Sequence, residues 1–433
     1  MTDLSADAIL RGWPRGRGLC ALVSGGGRGV SVIGEPSLVT LEEALEASCV
    51  RAGDAFALPV HVGAVAYEHG LTMEPSACAA HAVRRLTDAE LAAKEAITPI
   101  AQRVERGWVS GADGEWTGFD APAMESSDEL GGYRVGAFRS STGREHYERA
   151  VAATVEAIHA GDIFQANIAH RLVAPFEGDA RACFADLMER LGPDYGAYLE
   201  DRDERGDLRR IVISVSPELF LRAERDGEGV SVVTRPIKGT RAASDASSGE
   251  LASSAKDHAE LAMIVDLMRN DLGRLARFGS VRVTEARAIE RHHAGSIDHA
   301  VATVSARLRE GATVADLLGA TFPPGSITGA PKIRAMQIID ELEPEARGFY
   351  CGAIALLSPS VASMSVAIRT LTIECERGST PTDVRGTVAL PVGAGIVADS
   401  DAHEEWLETL DKARPIARAL GTGIDGDGDG NSQ

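Results

Sequence analysis

The sequence has no cysteine pattern. Cys20, Cys49, Cys78, Cys183, Cys351 and Cys375 stand singly, with no CxxC and no Cys/His cluster, which argues against a disulfide framework and a zinc site. Positive charge is also short. Against 64 Asp and Glu there are 44 Lys and Arg, a net charge of −20, and no basic stripe with interleaved aromatics appears, so no nucleic-acid partner is expected. No apolar run approaches the roughly 18–20 residues of a membrane helix. The opening MTDLSADAILRGWPRG carries early acids and lacks the apolar stretch of a signal peptide, so the expectation is a cytoplasmic protein with no membrane partner. Neither GxxxxGK[ST] nor GxGxxG with its following acid occurs, and SGGGRG near the start opens no helical pattern, leaving ATP and NAD without a motif. No internal repeat is evident.

What is present is an ordinary globular composition, 44% apolar and 25% charged over 433 residues, enough for one large core or two smaller ones. Residues 1 to about 125 are rich in Ala and Gly, with a helical pattern in LTDAELAAKEAITPIAQRVERG. FDAPAMESSDELGGYR, with its Pro, Ser, Gly and acids, reads as a linker or long surface loop. Beyond it the patterns sharpen. REHYERAVAATVEAIHAG places Tyr147, Val151, Val155 and Ile158 on one helical face and stops at Gly161. DIFQANIAHRL alternates, with Phe164, Ala166, Ile168 and Leu172 on one face and Gln165, Asn167 and Arg171 on the other, the pattern of a half-exposed strand. RIVISVSPELFLRAE and GVSVVTRP read as further antiparallel strands. The tail GTGIDGDGDGNSQ is expected to be disordered over 421–433; it lacks the twelfth-position Glu of a calcium loop.

Carboxylates recur on two helical patterns. In AKDHAELAMIVDLMRNDLGRLARF, Leu261, Ile264, Met268, Leu272 and Leu275 form the apolar stripe, while Asp257 and Glu260 share a face near the start. In DSDAHEEWLETLDKARPIARAL, Asp401 and Glu404 suggest a capping box. Trp406, Leu410, Ala413 and Ala417 face the core, with Glu405, Glu408 and Lys412 together beside that stripe. Each row by itself fits a solvated face; facing each other, they would suit a hard cation such as magnesium, which takes one or two carboxylates plus water and substrate oxygens. TFPPGSITGAPKIRAM offers Ser326 and Thr328 at the start of a helix, with Gly329 permitting close backbone approach. PVGAGIVADS sets Gly393 and Gly395 between a strand and the last helix. In TRPIKGTR, Lys238 leaves a strand where a plain turn would favour Asn, Asp or Gly, so it reaches either solvent or an anion.

In chain order, DIFQANI, SVSPELFL, TRPIKGTR, KDHAELAMIVDLMRNDLGR, TFPPGSITGAPKIRAM, FYCGAI, AIRT and VGAGIVADSDAHEEWLETLDKA resemble the chorismate-utilising enzymes, the family of anthranilate, aminodeoxychorismate, isochorismate and salicylate synthases. HVGAVAYE extends the resemblance weakly into the first third. It implies an α+β fold of large antiparallel β-sheets packed face to face with helices outside. It also implies a catalytic domain over 140–418, with residues 1–130 packed into the same unit. PIKGT is typical of the aminodeoxychorismate synthase component I group, whereas anthranilate synthases have alanine in place of the lysine; Gln165 stands where isochorismate and salicylate synthases carry a lysine base.

The resemblance further implies that Glu260 and Glu408 hold Mg2+ against the ring carboxylate of chorismate, with Asp257 and Glu405 supporting through water. Glu218 becomes the general acid, Lys238 the nucleophile and His299 a neighbour of the leaving group. Tyr350 and Arg369 would bind the pyruvyl carboxylate. Gln165, Thr240, Thr328, Gly329, Gly393, Gly395 and Lys412 would complete the substrate site. A separate glutamine amidotransferase subunit would supply ammonia, and a separate aminodeoxychorismate lyase would act on the product. "IGEPS" replaces the LLES of tryptophan-inhibited relatives, so tryptophan feedback is not expected. Leu261 follows Glu260 where relatives often have a polar residue. An anthranilate synthase tolerating lysine, and a non-catalytic chorismate-binding regulatory subunit, remain as alternatives.

Overall fold

The computed structural model describes residues 5–11, 13–15, 17–24, 31–48, 60–73, 99–110, 116–122, 130–242, 251, 253–291 and 297–425. Of the tail expected to be disordered over 421–433, residues 421–425 are ordered, with Ile424 buried and bridged to Phe138, while residues 426–433, Cys49 and Cys78 lie outside the described residues.

The strand ladders are antiparallel and run continuously through the molecule. From Gln165–Gly178 the pairing passes to Val384–Ile396, Thr370–Cys375, Leu208–Ser216, Tyr195–Arg202, Cys20–Ser24 and Ser31–Leu38. The long Ile100–Ser110 strand then pairs with both Ser31–Leu38 and His61–Val65 and so carries the chain of ladders from one sheet to the other. From His61–Val65 the second sheet continues through Ala353–Leu357, Val361–Val366, Leu219–Asp226, Gly229–Arg235 and Ile297–Arg307. Strands from the first third thus lie inside both sheets.

The two sheets pack face to face across an apolar layer to which both contribute: Val32, Val62, Ile100, Leu199, Val212, Phe349 and Ile354 meet there. Each outer face is covered by helices. Ala255–Gly273 buries Leu261, Ile264, Met268 and Leu272 on one sheet, and its apolar neighbourhood accounts for leucine at 261. Ala402–Ala419 buries Leu410, Ala413 and Ala417 on the other. Arg144–His159 and Lys332–Leu342 cover Ala166 and Ile168 through Tyr147, Val151, Ala335 and Ile338.

Several expectations are corrected. The helical pattern extended through ITPIAQRVERG fails after residue 99: Gln102 and Val104 are buried while Arg103 and Glu105 are exposed, a period of two, and this stretch is strand. Residues 74–98 lie outside the described residues. The Gln165 strand is not half exposed. Over residues 165–168 it is buried on both faces, by helices behind Ala166 and Ile168 and by the molecular interior in front of Gln165 and Asn167, whereas Arg171 further along is only half-buried. Phe164 does not share its apolar face; it precedes the strand and is 69% exposed. Gly393 and Gly395 lie within the Val384–Ile396 strand rather than after it. The helix after TFPPGSITGAP begins at Lys332, beyond a short 3-10 turn at Gly325–Ile327 that contains Ser326. Asp401 caps its helix through its own carboxylate, which accepts from the amides of His403 and Glu404.

Candidate active site

The lysine of TRPIKGTR sits on a β-bulge. Ile237 pairs with Val301 and Thr240 with His299, so three steps on one strand oppose two on the other, with Lys238 and Gly239 as the irregularity. Gly239 has φ 83°, the left-handed region that glycine occupies without strain. A bulge bends its strand and redirects a side chain, and here Lys238 turns inward rather than toward solvent. A methyl group built on Gly395 would come within 2.6 Å of Gln165 Nε2 and 3.3 Å of Lys238 Nζ. Lysine, glutamine and glycine therefore meet in one cradle made by three strands.

Glu218 stands beside it. Its carboxyl is 4% exposed, accepts a 2.5 Å hydrogen bond from Ser326 Oγ, and takes the amide of Ile237, the residue before Lys238. Burial raises it to about 7, with Ser326 and the Lys238 charge opposing the rise. Lys238 is lowered, first by burial; Glu260 raises it and Lys412 lowers it further. An acid that keeps its proton up to about pH 7 and an amine held toward its neutral form are thus neighbours. The hydrogen bond from Ser326 is one feature the residue patterns missed, since Ser326 read only as the start of a helix.

The Val384–Ile396 strand forms the floor. Gly393 lies under Tyr350, whose hydroxyl would be 2.9 Å from a methyl group added there, while the Ile168 carbonyl oxygen of the paired strand would be 2.7 Å away. Tyr350 is buried next to Asn167 and Cys351, and burial raises its hydroxyl well above the ordinary range, so it keeps its proton. Gly329 has φ 155° and touches the Gln165 carbonyl so closely that a methyl group would overlap it at 2.2 Å; Thr328, fully buried, donates its hydroxyl to the carbonyls of Pro324 and Gly325.

Arg369 sits in the turn between the Val361–Val366 and Thr370–Cys375 strands, with φ 51° and its carbonyl accepting from Val215. Burial lowers its pKa, and among the described residues no ion pair is found for it. A half-buried arginine without an ion pair is suited to a ligand's carboxylate. His299 is 2% exposed opposite Thr240. The Thr240 side chain lies outside the described residues.

The carboxylate helices approach from the far side. Asp257 packs on Gly239, its carboxyl carbon 3.0 Å from a methyl group placed there. Glu260 and Glu408 both act on the Lys238 charge, which brings one carboxylate from each helix toward the same amine. Lys412 bonds the Gly393 carbonyl at 2.8 Å and Glu408 at 2.7 Å, while Ser400 Oγ donates to Glu405 at 2.6 Å. Among the described residues, no group of three or more His, Cys, Asp or Glu side chains stands close enough to hold a metal alone. The donors at hand are all carboxylate oxygens, which fits a hard ion whose remaining positions go to water and substrate, as magnesium prefers.

The structure thus sets a buried acid and a buried amine within each other's electrostatic reach and provides an arginine with no ion pair among the described residues. The chain belongs to the chorismate binding enzyme family, whose profile matches residues 40–418. It is 41% identical over 290 residues to aminodeoxychorismate synthase component 1 of Escherichia coli (strain K12), a match taking in 65% of this chain and 59% of that protein. To an anthranilate synthase component 1 of Haloarcula marismortui it is 40% identical over 291 residues, 65% of this chain and 55% of that one. The matched span is thus less than two thirds of these relatives' own length. Among solved structures, anthranilate synthase component I from Streptococcus pneumoniae TIGR4 superposes with a TM-score of 0.69 at 25% identity, over 92% of both chains. The menaquinone-specific isochorismate synthase of Escherichia coli shares the fold, with a TM-score of 0.70 at 16% identity over 96% of this chain and 91% of that one. No helix of the described residues is long and apolar enough to cross a membrane.

Proposed function

We propose that this chain aminates chorismate at C4, using ammonia from a separate glutamine amidotransferase subunit, and yields 4-amino-4-deoxychorismate for a separate lyase to convert to 4-aminobenzoate. The observation that carries the reading is Lys238, turned inward by its bulge into the cradle of Gln165 and Gly395 beside Glu218. A lysine is a nucleophile only when neutral, and desolvation favours that form.

In this scheme Arg369 and the Tyr350 hydroxyl grip the pyruvyl carboxylate, and Thr328, Gly329, Gly393 and Gly395 line the ring side. Glu260 and Glu408 would hold Mg2+, with Asp257 and Glu405 behind them; the ion would offset the repulsion between an acidic protein and a dianionic substrate and withdraw charge from the ring carboxylate. Lys412 balances Glu408. Neutral Lys238 Nζ attacks C2, the two conjugated ring double bonds shift together to C1=C6 and C4=C5, the C4–O bond breaks, and Glu218 gives its proton to the departing hydroxyl, which leaves as water. His299 lines the leaving-group side. Ammonia then adds at C4, the double bonds return, the C2–Nζ bond breaks, and the proton that ammonia loses goes back to Glu218.

The test is the purified chain with chorismate, magnesium and ammonium, its products resolved by mass with and without an added lyase. An aminated product retaining its enolpyruvyl group, yielding 4-aminobenzoate only with lyase, is the expected outcome. Anthranilate instead would assign the chain to the anthranilate branch, and no turnover despite chorismate binding would assign it a non-catalytic role.

A further inference from the structure

Tyr350 owes its place to a loop that is tied down from an unexpected direction. Between the Lys332–Leu342 helix and the Ala353–Leu357 strand, the chain turns through Arg347 and Gly348, the latter at φ 66°. The amides of these two residues donate to the two oxygens of one carboxylate, that of Glu68: Arg347 N to Oε1 at 2.6 Å and Gly348 N to Oε2 at 3.1 Å. The Gly348 carbonyl accepts from Tyr67 N at 2.8 Å. Tyr67 and Glu68 close HVGAVAYE, in the first third of the chain, far in sequence from every other residue of the site.

The clamp extends into the pocket wall. The Arg347 side chain, stacked 4.6 Å above the Tyr67 ring, donates to the carbonyls of Asn167 at 2.6 Å and Ile327 at 3.3 Å and is paired with Glu343 at 2.6 Å. Glu343 in turn accepts from Ala169 N at 2.8 Å. One residue therefore joins the Gln165 strand, the turn leading to Thr328 and the loop of Tyr350, and Glu68 fixes that residue's backbone.

We propose that Glu68 is a positioning residue for substrate binding, its carboxylate holding the Arg347–Gly348 amides so that the Tyr350 hydroxyl, two residues on, faces the bound carboxylate. The inference rests on the proposed chorismate site. A carboxylate accepting two amides is a charge-assisted arrangement that a glutamine cannot reproduce, because its amide nitrogen would face an N–H donor. Glu68 touches no substrate in this scheme; it acts through Tyr350.

The experiment is chorismate binding to the full chain in magnesium buffer by calorimetry, for wild type, Glu68→Gln, Tyr350→Phe and the double variant, with thermal unfolding followed for each. Glu68→Gln should weaken chorismate binding about tenfold, and the same substitution should cost little more once the Tyr350 hydroxyl is gone. If Glu68→Gln does not fold at the assay temperature, Glu68→Asp, which keeps both oxygens at shorter reach, carries the same cycle with a smaller loss. An unchanged Kd in folded protein, or an equal loss with and without the Tyr350 hydroxyl, overturns the clamp and leaves the functional reading intact. Failure of the wild type to bind chorismate overturns that reading, and the clamp with it.

Discussion

Glu218→Gln separates the chemistry of this site from its stability in a way that depends on pH. Moving a carboxyl from 4.5 to about 7 corresponds to about 3 kcal/mol of preference for the neutral form in the folded protein. Below about pH 4.5 the carboxyl is protonated folded and unfolded alike, and burial adds no ionisation cost. Between 4.5 and 7 the unfolded chain ionises first, and stability falls as pH rises. Above about 7 the folded carboxyl is also charged, and the full cost of about 3 kcal/mol is present. Glutamine keeps the acceptor for Ser326 and has no charge to bury. The variant should therefore match the wild type in urea unfolding near pH 4.5 and exceed it by up to about 3 kcal/mol near pH 8.5. Over the same range it should lose roughly 10²–10⁴-fold in turnover, the worth of a positioned proton donor, while still binding chorismate. Wild-type kcat/KM should fall as pH rises past about 7. A stability difference between wild type and variant that stays constant from pH 4.5 to 8.5 would refute the reasoning, because a group that does not titrate in that range is not poised as the acid.

Lys238→Ala should bind chorismate and form no aminated product at any ammonium concentration, measured by mass; full ammonia-dependent activity would end the covalent role. Gly395→Ala and Gly329→Ala should part company. The first added methyl group meets the ends of the Gln165 and Lys238 side chains, so the fold should persist while turnover collapses. The second meets the Gln165 carbonyl at 2.2 Å, where only backbone movement relieves the overlap, and should lower stability by about 1–3 kcal/mol or more, read by thermal unfolding. Chelation of magnesium should abolish turnover and weaken chorismate binding, both restored by added Mg2+, if Glu260 and Glu408 serve as its ligands.

Much of the site was legible because its chemistry is written in short local stretches. The helices carrying Glu260 and Glu408 announced themselves by apolar stripes that recur every three or four residues, and those stripes pack as their spacing implies. The ordered motifs identified the family without any geometry. Local pattern was misleading where burial on two sides replaced burial on one. Gln165 and Asn167 look like the wet face of a strand, because amides carry no mark of whether water or a substrate site lies in front of them. Ile100–Ser110 follows a run whose sequence pattern is helical and has too few apolar residues for its period of two to stand out.

Only the tertiary structure decided which way Lys238 points, since a bulge is a property of two paired strands and is defined by the register of Thr240 against His299. Only it could raise Glu218, because the desolvation comes from the surrounding structure closing over the carboxyl and outweighs the opposing hydrogen bond from Ser326. The bond from Glu68 to Arg347 and Gly348 spans some 280 residues, and no local pattern can specify a contact of that separation. Residue types and their spacing alone set the chemical groups, the helices that carry the carboxylates and the glycines that let backbones meet. The fold determined their distances and their dielectric surroundings, and on those rest the protonation states that the proposed chemistry needs.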